Sequence, residues 1–331
     1  MASFALNGLG RIGKLALREM LARGIVPAWI NDAVGDPAMH AHLLEFDSVH
    51  GRWPATFSHD ADSVTVDGAR LPFIGTARLS DLPLAGVDVL IDCTGAHRTA
   101  AALAPALEGG AGRVVIAAPV HDPQAVNIVA GINNAAFDPA RHRIVTAASC
   151  TTNCLAPVVK VIHEGFGIRH GSITTIHDVT NTQTLVDRPA KDLRRARSAL
   201  TSLIPTSTGS ASAIGLIFPD LAGRLDGLAV RVPLLNASLT DCVFEVSRPT
   251  TVAEVNAALS AAAAGPLRGI LGYEDRPLVS ADYRGDTRSA IVDAACTRVI
   301  GGTQVKIYAW YDNETGYAHR LVDVVQMVGA A

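Results

Sequence analysis

A cysteine at position 150 and a histidine at position 177 are the residues best placed to do covalent chemistry. Cys150 lies in S-C-T-T-N-C-L-A-P, between an apolar run typical of a strand and apolar spacing typical of a helix. The dipole and unpaired N–H groups of a helix N-terminus stabilise thiolate over thiol. A thiolate nucleophile needs a base, and His177 ends the apolar strand G-S-I-T-T-I-H. The pattern predicts a Cys150–His177 pair, although a lone histidine that ends a strand is more often structural.

Polar and basic residues that suit an oxyanion follow the histidine. Thr180 and Thr182 come first, then the basic run K-D-L-R-R-A-R at 191–197, then T-S-T-G at 206–209. Arg231 is a charge inside the apolar strand A-V-R-V-P, and arginine is rarely buried unless paired. Hydroxyls, backbone N–H groups and guanidinium groups are the donors that phosphate binds. A basic run alone is usually a solvated face, so this interpretation depends on the neighbouring donors.

A second motif, G-L-G-R-I-G, separates a short apolar run from a helical pattern near the start of the chain. Gly8 permits a tight turn, Gly10 lets the backbone approach a pyrophosphate, and Gly13 allows close helix packing. Asp32 follows, close to the spacing of about 20 residues at which a carboxylate accepts ribose hydrogen bonds. These features predict a Rossmann-type dinucleotide-binding unit rather than a tight turn with a solvated aspartate.

The alternation of strands and helices predicts the fold class α/β, with an N-terminal Rossmann-type doubly wound parallel sheet. Its strands are expected at 3–7, 25–30, 87–92, 113–118, 127–130 and 143–148. Longer strand-like runs follow Cys150 and predict an α+β catalytic domain with a mostly antiparallel sheet. These runs lie at 171–179, 227–233, 239–248 and 304–311. We expect a dinucleotide-binding domain at 1–149 with 314–331, and a catalytic domain at 150–313.

Composition restricts the classes of function. Of 331 residues, 49% are hydrophobic and 18% charged, so a large core is expected. The net charge of −3 argues against nucleic-acid binding, and no apolar run reaches the ~18 residues of a membrane helix. The 5 scattered cysteines argue against disulfides and favour the cytoplasm. No metal is expected, because Cys150, Cys154 and His177 would lack a fourth ligand.

The motifs resemble those of phosphorylating glyceraldehyde-3-phosphate dehydrogenases. The similar stretches, in family order, are N-G-L-G-R-I-G, A-S-C-T-T-N-C-L-A-P, K-D-L-R-R-A-R, S-T-G, R-V-P and W-Y-D-N-E-T-G-Y. The resemblance implies oxidation of glyceraldehyde 3-phosphate to 1,3-bisphosphoglycerate with NAD, through a thioester on Cys150 with His177 as base. It also implies a homotetramer, in which the segment around 180–202 reaches toward a neighbouring subunit's cofactor.

The resemblance assigns further residues by position. Those matching the dinucleotide site are Gly8, Leu9, Gly10, Arg11, Ile12, Asp32, Arg78, Thr94, Asn313 and Tyr317. Those matching the site for the substrate's own phosphate are Thr180, Thr182 and Arg231. Those matching the site for incoming inorganic phosphate are Ser149, Thr151, Arg195, Thr208 and Gly209. On this resemblance the site excludes water and admits phosphate, so that hydrolysis does not waste the thioester.

Several positions depart from the common glycolytic pattern. Asp178 follows the histidine where most members have a small residue, and Thr315 stands where an aromatic residue is usual. Arg188 and Ala33 offer charge and space for a 2′-phosphate, which Asp32 would repel. We therefore expect NAD to be preferred and NADP to be usable.

Three stretches are similar to the arsenic-resistance-associated branch of the family: L-L-E-F-D-S-V-H-G-R-W, T-I-H-D-V-T-N-T-Q-T and L-T-D-C-V-F-E-V. This branch is thought to place arsenate in the phosphate slot and to make 1-arseno-3-phosphoglycerate for an export partner. Arsenate is a tetrahedral oxyanion only slightly larger than phosphate, so the same donors would serve either anion.

Other functions stay open at this level. Erythrose 4-phosphate is the nearest rival substrate. A thiol hydrolase would use Cys150 and His177 without a dinucleotide, which the glycine loop and Asp32 disfavour. A catalytically idle NAD-binding regulator would have no need to keep Cys150, His177 and Arg231.

Overall fold

The computed structural model describes residues 2–331, which group into two compact units. The first runs to Ser149 and includes Ala318–Ala331, and the second comprises Cys150–Tyr317. Each unit contains a large sheet of its own. None of the helices within residues 2–331 combines the length and apolar composition needed to span a bilayer.

A parallel sheet forms the centre of the first unit. The elements up to Ser149 are β1 (Phe4–Asn7), α1 (Arg11–Ala22), β2 (Ile30–Asn31), α2 (Pro37–Glu45), β3 (Phe46–Asp47), β4 (Gly51–Arg52), β5 (Phe57–His59), β6 (Ser63–Val66), β7 (Ala69–Pro72), β8 (Val89–Asp92), α3 (Ala100–Glu108), β9 (Arg113–Ile116), β10 (Ala125–Asn127) and β11 (Ile144–Thr146). Six of the strands pair in parallel in the order β10-β11-β9-β8-β1-β2. The prediction of a Rossmann-type parallel sheet is confirmed. Strand β8 is buried along its whole length, as the strands of such sheets are.

The second predicted strand, at 25–30, is wrong in its extent. Only Ile30–Asn31 pair with β1. Pro27 interrupts the apolar run and has no N–H group to donate to a ladder. Apolar character alone therefore predicted a strand that is longer than the one observed.

An antiparallel sheet of β5, β6 and β7 was missed by the sequence analysis. Its tightest turn joins β6 to β7 through Asp67 and Gly68, at φ +46° and +82°. Asp-Gly is the preferred pair for such a hairpin, so this dipeptide was an available signal.

The second unit holds a seven-stranded mixed sheet. The elements from Cys150 onward are α4 (Cys150–Phe166), β12 (Ile168–His177), β13 (Ile204–Ser207), α5 (Ser210–Ile217), β14 (Leu225–Arg231), β15 (Ser238–Val246), α6 (Val252–Ala264), β16 (Leu271–Glu274), β17 (Ala290–Ile300), β18 (Gln304–Tyr311) and α7 (Thr315–Gly329). The strand order is β13-β14-β12-β15-β18-β17-β16, with parallel pairing only at β14-β12 and β17-β16. The prediction of a mostly antiparallel second sheet is confirmed, as is the start of a helix at Cys150.

Candidate active site

The glycine loop after β1 leaves space at the start of α1. Gly8 has φ +94°, which glycine tolerates, and a Cβ there would lie 2.7 Å from the backbone nitrogen of Thr94. A Cβ at Gly13 would collide with the carbonyl oxygen of Gly8, so α1 packs closely against the turn. At Gly10, by contrast, a Cβ would meet nothing within 4 Å. This open approach to a helix N-terminus fits the pyrophosphate of a dinucleotide.

Asp32 is held beside this loop. Its carboxylate accepts hydrogen bonds from the backbone N–H groups of Leu9, at 2.7 Å, and Val34, at 3.0 Å. The side chain is only half-buried, and carboxylate oxygens have further lone pairs for ribose hydroxyls. Lys14, which the sequence analysis missed, donates a hydrogen bond to the Leu9 carbonyl oxygen. The donor set and the carboxylate together fit NAD.

Thr94 lies against Gly8 and is anchored by the end of β8. The Asp92 carboxylate accepts hydrogen bonds from Thr94, at 2.9 Å from the backbone nitrogen and 2.7 Å from Oγ1. The other Asp92 oxygen lies 2.7 Å from Nδ1 of His97. This hydrogen bond raises the pKa of His97. The buried carboxylate therefore organises the loop that faces Gly8.

The other predicted cofactor residues of this unit lie nearer to solvent. Arg11 is exposed and pairs with Asp47 at 2.6 Å, and Ile12 is half-buried. Arg78 is exposed and pairs with Asp81 at 2.9 Å. Each arginine thus pairs with a carboxylate through one of its nitrogens, and a guanidinium has five N–H groups in all.

In the second unit, one edge of the sheet gathers residues that are distant in sequence. Strand β12 ends at His177 and β14 ends at Arg231, and the two residues are direct register partners. Strand β15 runs antiparallel to β12, so its first residue, Ser238, lies at the same edge. Ser238 is in turn opposite Tyr311, the last residue of β18. The edge therefore carries an imidazole, a guanidinium and two hydroxyls.

Helix α4 presents the Cys150 thiol to this edge, with 3.6 Å between Sγ and Nε2 of His177. Burial alone would raise the pKa of the Cys150 thiol, but the hydrogen bond and charge of His177 hold that pKa below its ordinary value. Burial would likewise lower the pKa of His177, whereas Asp178 and Cys150 raise it to about 9. Both shifts act in the direction of a thiolate–imidazolium pair.

The remaining cysteines have thiol pKa values that are raised rather than lowered. Burial raises the pKa of all four of their thiols, and it raises that of Cys242 to about 12; they are Cys93, Cys154, Cys242 and Cys296. All five cysteines are free thiols. The lowered thiol pKa thus belongs to the cysteine that starts α4.

Tyr311 is a buried residue of the site that the sequence analysis missed. Its hydroxyl lies 2.9 Å from Oγ1 of both Thr151 and Thr175, and so joins α4 to β12. Its ring meets the His177 ring edge-on, with 6.0 Å between centroids. Tyr311 lies within the motif W-Y-D-N-E-T-G-Y, but only its burial and its contacts reveal that it joins α4 to β12. The Thr151 hydroxyl contacts Tyr311, and the backbone N–H of Thr151 lies in the first turn of α4, where such groups can bind an anion.

Arg231 is partly buried against the histidine. Its Nη1 lies 2.7 Å from Nδ1 of His177 and 2.9 Å from the backbone oxygen of Asp178. Burial lowers the pKa of Arg231, and the nearby Cys150 opposes that effect. Arg231 is therefore hydrogen-bonded through Nη1, but no ion pair with a carboxylate is seen among the described residues, and its buried Nε has no hydrogen-bond partner there.

A cluster of hydroxyls surrounds Arg195. Arg195 donates hydrogen bonds to Oγ1 of Thr182, at 3.1 Å, and of Thr206, at 2.9 Å. The Thr182 and Thr180 hydroxyl oxygens lie 3.0 Å apart. The charge of Arg195 also lowers the pKa of Arg231. The structure therefore brings together residues that the sequence assigned to two separate anion sites.

The remaining predicted anion residues lie at helix starts. The Thr208 hydroxyl hydrogen-bonds Ser210, at 3.1 Å to its hydroxyl and 3.2 Å to its backbone N–H. Gly209 precedes α5 and has open space where a Cβ would point. Ser149 is half-buried and ends the first unit.

Asn313 and Tyr317 are both buried. The Asn313 side-chain oxygen accepts a hydrogen bond of 3.2 Å from the Ser238 hydroxyl. Asp312 accepts from the backbone N–H groups of Glu314 and Thr315, at 2.9 and 2.8 Å, and so caps the start of α7. No group of three or more His, Cys, Asp or Glu side chains within residues 2–331 is arranged to hold a metal ion.

Comparison with known proteins identifies the family. A model described as "Glyceraldehyde 3-phosphate dehydrogenase, C-terminal domain" matches residues 149–313, and one described as "Glyceraldehyde 3-phosphate dehydrogenase, NAD binding domain" matches 2–100. A relative from Nostoc sp. named glyceraldehyde-3-phosphate dehydrogenase 3 is 56% identical, over 98% of this chain and 97% of its own. The chain belongs to the glyceraldehyde-3-phosphate dehydrogenase family. Other members are glyceraldehyde-3-phosphate dehydrogenase 2 of Streptomyces avermitilis and glyceraldehyde-3-phosphate dehydrogenase of Geobacillus stearothermophilus. They are 47% and 46% identical to this chain, each over 98% of it and 97% of their own length.

The glyceraldehyde-3-phosphate dehydrogenase family resemblance predicted from the motifs is therefore confirmed. The chain is an NAD-dependent oxidoreductase, and NAD is its cofactor. The NAD-binding model covers the glycine loop and Asp32, and the C-terminal model covers Cys150, His177 and Arg231.

Proposed function

We propose that this chain oxidises glyceraldehyde 3-phosphate with NAD and transfers the resulting acyl group to an inorganic oxyanion, which yields 1,3-bisphosphoglycerate when the anion is phosphate. The observation that carries the proposal is the Cys150 thiol of lowered pKa, 3.6 Å from the His177 imidazole. The neighbouring Arg231 and Arg195 supply the positive charge that a phosphorylated substrate and an anionic nucleophile require.

The chemistry follows from the ion pair. The Cys150 thiolate attacks the aldehyde carbon, and the imidazolium of His177 donates its Nε2 proton to the alkoxide as the hemithioacetal forms. Nε2 then takes the hydroxyl proton back as hydride departs and the C–S adduct becomes a thioester. NAD, when bound, supplies the acceptor for that hydride. The oxyanion attacks the thioester carbonyl carbon, the C–S bond breaks, and the released thiolate again forms an ion pair with His177. Such a base contributes typically ~10²–10⁴-fold to the rate.

The first unit and the last helix form the proposed dinucleotide-binding domain, 1–149 with 314–331, and residues 150–313 form the proposed catalytic domain. In the first unit, the residues that would hold NAD are Gly8, Leu9, Gly10, Arg11, Ile12, Asp32, Arg78 and Thr94. Asn313 and Tyr317 would contact the nicotinamide end. Asp32 would repel a 2′-phosphate, which supports a preference for NAD over NADP, although Arg188 and Ala33 leave NADP usable.

Two oxyanion positions are proposed around the thiol. Thr180, Thr182 and Arg231 would bind the phosphate of the substrate. The incoming anion would meet donors from the remaining set: Ser149, Thr151, Arg195, Thr208 and Gly209. The hydrogen bond between Arg195 and Thr182 supports placing the two positions close to one another.

The incoming anion is proposed to be phosphate or arsenate. The donors around Arg195 are hydroxyls and a guanidinium, which recognise the shape and charge that the two anions share. With arsenate the product would be 1-arseno-3-phosphoglycerate, as the similarity to the arsenic-resistance branch implies.

The chain is proposed to work as a homotetramer in the cytoplasm. The segment around 180–202 exposes large apolar side chains, with relative exposures of 68% at Leu185, 72% at Val186 and 82% at Leu193. Apolar exposure of this kind is typical of a surface that another protein covers. Light scattering would test the assembly, and a monomer at working concentration would contradict it.

The decisive experiment is a cofactor-reduction assay with glyceraldehyde 3-phosphate and phosphate, arsenate or neither anion. We expect turnover that depends on an added oxyanion. Higher kcat/KM with erythrose 4-phosphate would reassign the aldehyde, and NAD binding without any turnover would favour an idle regulator. A strong preference for phosphate over arsenate, together with unchanged arsenate tolerance on gene deletion, would remove the arsenate role.

A further inference from the structure

Asp178 places a buried carboxylate against the imidazole of His177. The residue follows the last position of β12 and is 0% exposed, and its Oδ1 lies 2.7 Å from Nδ1 of His177. This nitrogen is on the opposite side of the ring from Nε2, which faces Cys150. The imidazole therefore contacts the thiol through one nitrogen and the carboxylate through the other.

Two neighbours of Nδ1 of His177 require different protonation states of that nitrogen. Nη1 of Arg231 lies 2.7 Å away and can only donate, which requires a lone pair on Nδ1. That lone pair would leave the proton on Nε2, where it could not accept one from the thiol. The Asp178 carboxylate can only accept, which requires an N–H at Nδ1. The Asp178 backbone oxygen, 2.9 Å from Nδ1, also requires an N–H there, but it attracts that N–H more weakly because it carries no full charge.

The balance of charges in the site also favours a carboxylate beside His177. The thiolate of Cys150 neutralises one positive charge, but an imidazolium next to Arg231 leaves a second uncompensated inside the protein. The Asp178 carboxylate compensates it. Three other groups act on these residues. The pKa of Tyr311 is raised by burial so that its phenol stays neutral, the charge of Glu314 raises the pKa of Asp178, and the charge of Arg195 lowers the pKa of Arg231.

The carboxylate is held in place by its own contacts. The Ser238 hydroxyl lies 3.3 Å from Oδ1 of Asp178 and 3.2 Å from its backbone nitrogen, which donates to it. The same hydroxyl contacts the Asn313 side chain at 3.2 Å. Burial raises the pKa of Asp178, and the adjacent His177 opposes that effect. Oδ1 of Asp178 therefore has a hydroxyl and a cationic partner, whereas Oδ2 is buried and has no hydrogen-bond partner among the described residues.

We propose that Asp178 is a positioning residue that fixes the proton of His177 on Nδ1 and offsets the charge of Arg231, so that Nε2 can exchange a proton with Cys150. The inference rests on the proposed function, because it assigns Asp178 to the same thiol–imidazole pair. Asp178 acts through His177 and is not itself expected to touch the substrate.

The test is the pH dependence of Cys150 alkylation by iodoacetamide in the full-length protein, followed by mass spectrometry of the cysteine peptides. The charge of Asp178 acts on the Cys150 thiol in two ways: directly it raises the pKa of the thiol, and by stabilising the imidazolium of His177 it favours the thiolate. We expect the second effect to prevail, because the imidazole contacts the thiol. In Asp178→Asn the midpoint should therefore rise by about one pH unit or more, and kcat should fall about tenfold or more while KM for glyceraldehyde 3-phosphate changes little. Asp220→Asn is the matched control, since it removes a carboxylate that contacts a different histidine, His163, at 2.6 Å. It should keep the wild-type midpoint.

The outcomes separate the two claims. If the wild-type midpoint is that of an ordinary thiol, the thiol–imidazole pair of the proposed function fails. If the wild-type midpoint is lowered and folded Asp178→Asn titrates identically, the role of Asp178 alone is overturned. Asp178→Ser provides a second variant should the asparagine protein not fold, and an unshifted midpoint in it would overturn the proposal equally.

Discussion

Arg231 and His177 are register partners on adjacent parallel strands, with 2.7 Å between the guanidinium Nη1 and the imidazole Nδ1. A cation so close to a histidine lowers the pKa of that histidine, yet the pKa of His177 is raised to about 9. The difference comes from the Asp178 carboxylate and the Cys150 thiol, which contact opposite nitrogens of the ring. The ionisation of the thiol and of the imidazole therefore depends on all four side chains.

Replacing the thiol tests the proposed nucleophile. Cys150→Ser should lose nearly all turnover, because a hydroxyl at this position stays protonated at neutral pH, while NAD affinity should remain within a few-fold of wild type. Cys154→Ala is the control, since the Cys154 thiol is buried one turn further along α4 and its pKa is raised. Turnover retained by the Cys150 variant would contradict the assignment.

The imidazole should control the ionisation of the thiol. The pKa of Cys150 is lowered, so its alkylation rate should begin to rise at a lower pH than that of an ordinary thiol, and should decline as the pH falls through that lowered value. In His177→Gln burial is no longer opposed, and alkylation at pH 7 should slow at least tenfold. Iodoacetamide kinetics across pH 5 to 10 measure both curves, and superimposable profiles would show that the two side chains do not interact.

The glycine loop offers a binding test with an internal folding control. Gly10→Ala adds a Cβ into open space, so unfolding free energy should change little while NAD affinity falls tenfold or more. Gly13→Ala drives a Cβ into the Gly8 carbonyl oxygen and should lower stability as well. Calorimetric NAD titration and urea unfolding distinguish the two variants. Unchanged NAD affinity in Gly10→Ala would place the pyrophosphate elsewhere.

Arg231 should recognise the phosphate of the substrate rather than its aldehyde. Arg231→Gln removes a charge-assisted contact of about 1.5–3 kcal/mol, so kcat/KM for glyceraldehyde 3-phosphate should fall roughly ten- to hundredfold. With glyceraldehyde, which lacks the phosphate, the loss should be much smaller. Equal losses for the two substrates would indicate that Arg231 acts through His177 alone.

Local patterns were sufficient for much of the fold. The glycine loop, the start of a helix at Cys150 and the extent of β18 follow from turn residues and apolar periodicity within short windows. The same patterns predicted too long a strand at 25–30, because Pro27 interrupts the apolar run there. They also missed the hairpin at Asp67, which is specified by turn residues rather than by apolar character.

The sequence by itself determined the family, the two kinds of sheet and the chemical types of the site residues, because these are carried by motifs of a few adjacent residues. Tertiary structure alone decided which of those residues meet. His177 and Arg231 are 54 positions apart, and Thr151 and Tyr311 are 160 apart. Their contacts follow from the strand order β14-β12-β15-β18 and from its register, which no local pattern specifies. The same packing buries the Asp178 carboxylate against the imidazole, so its physical effect depends on its neighbours rather than on its position in the chain.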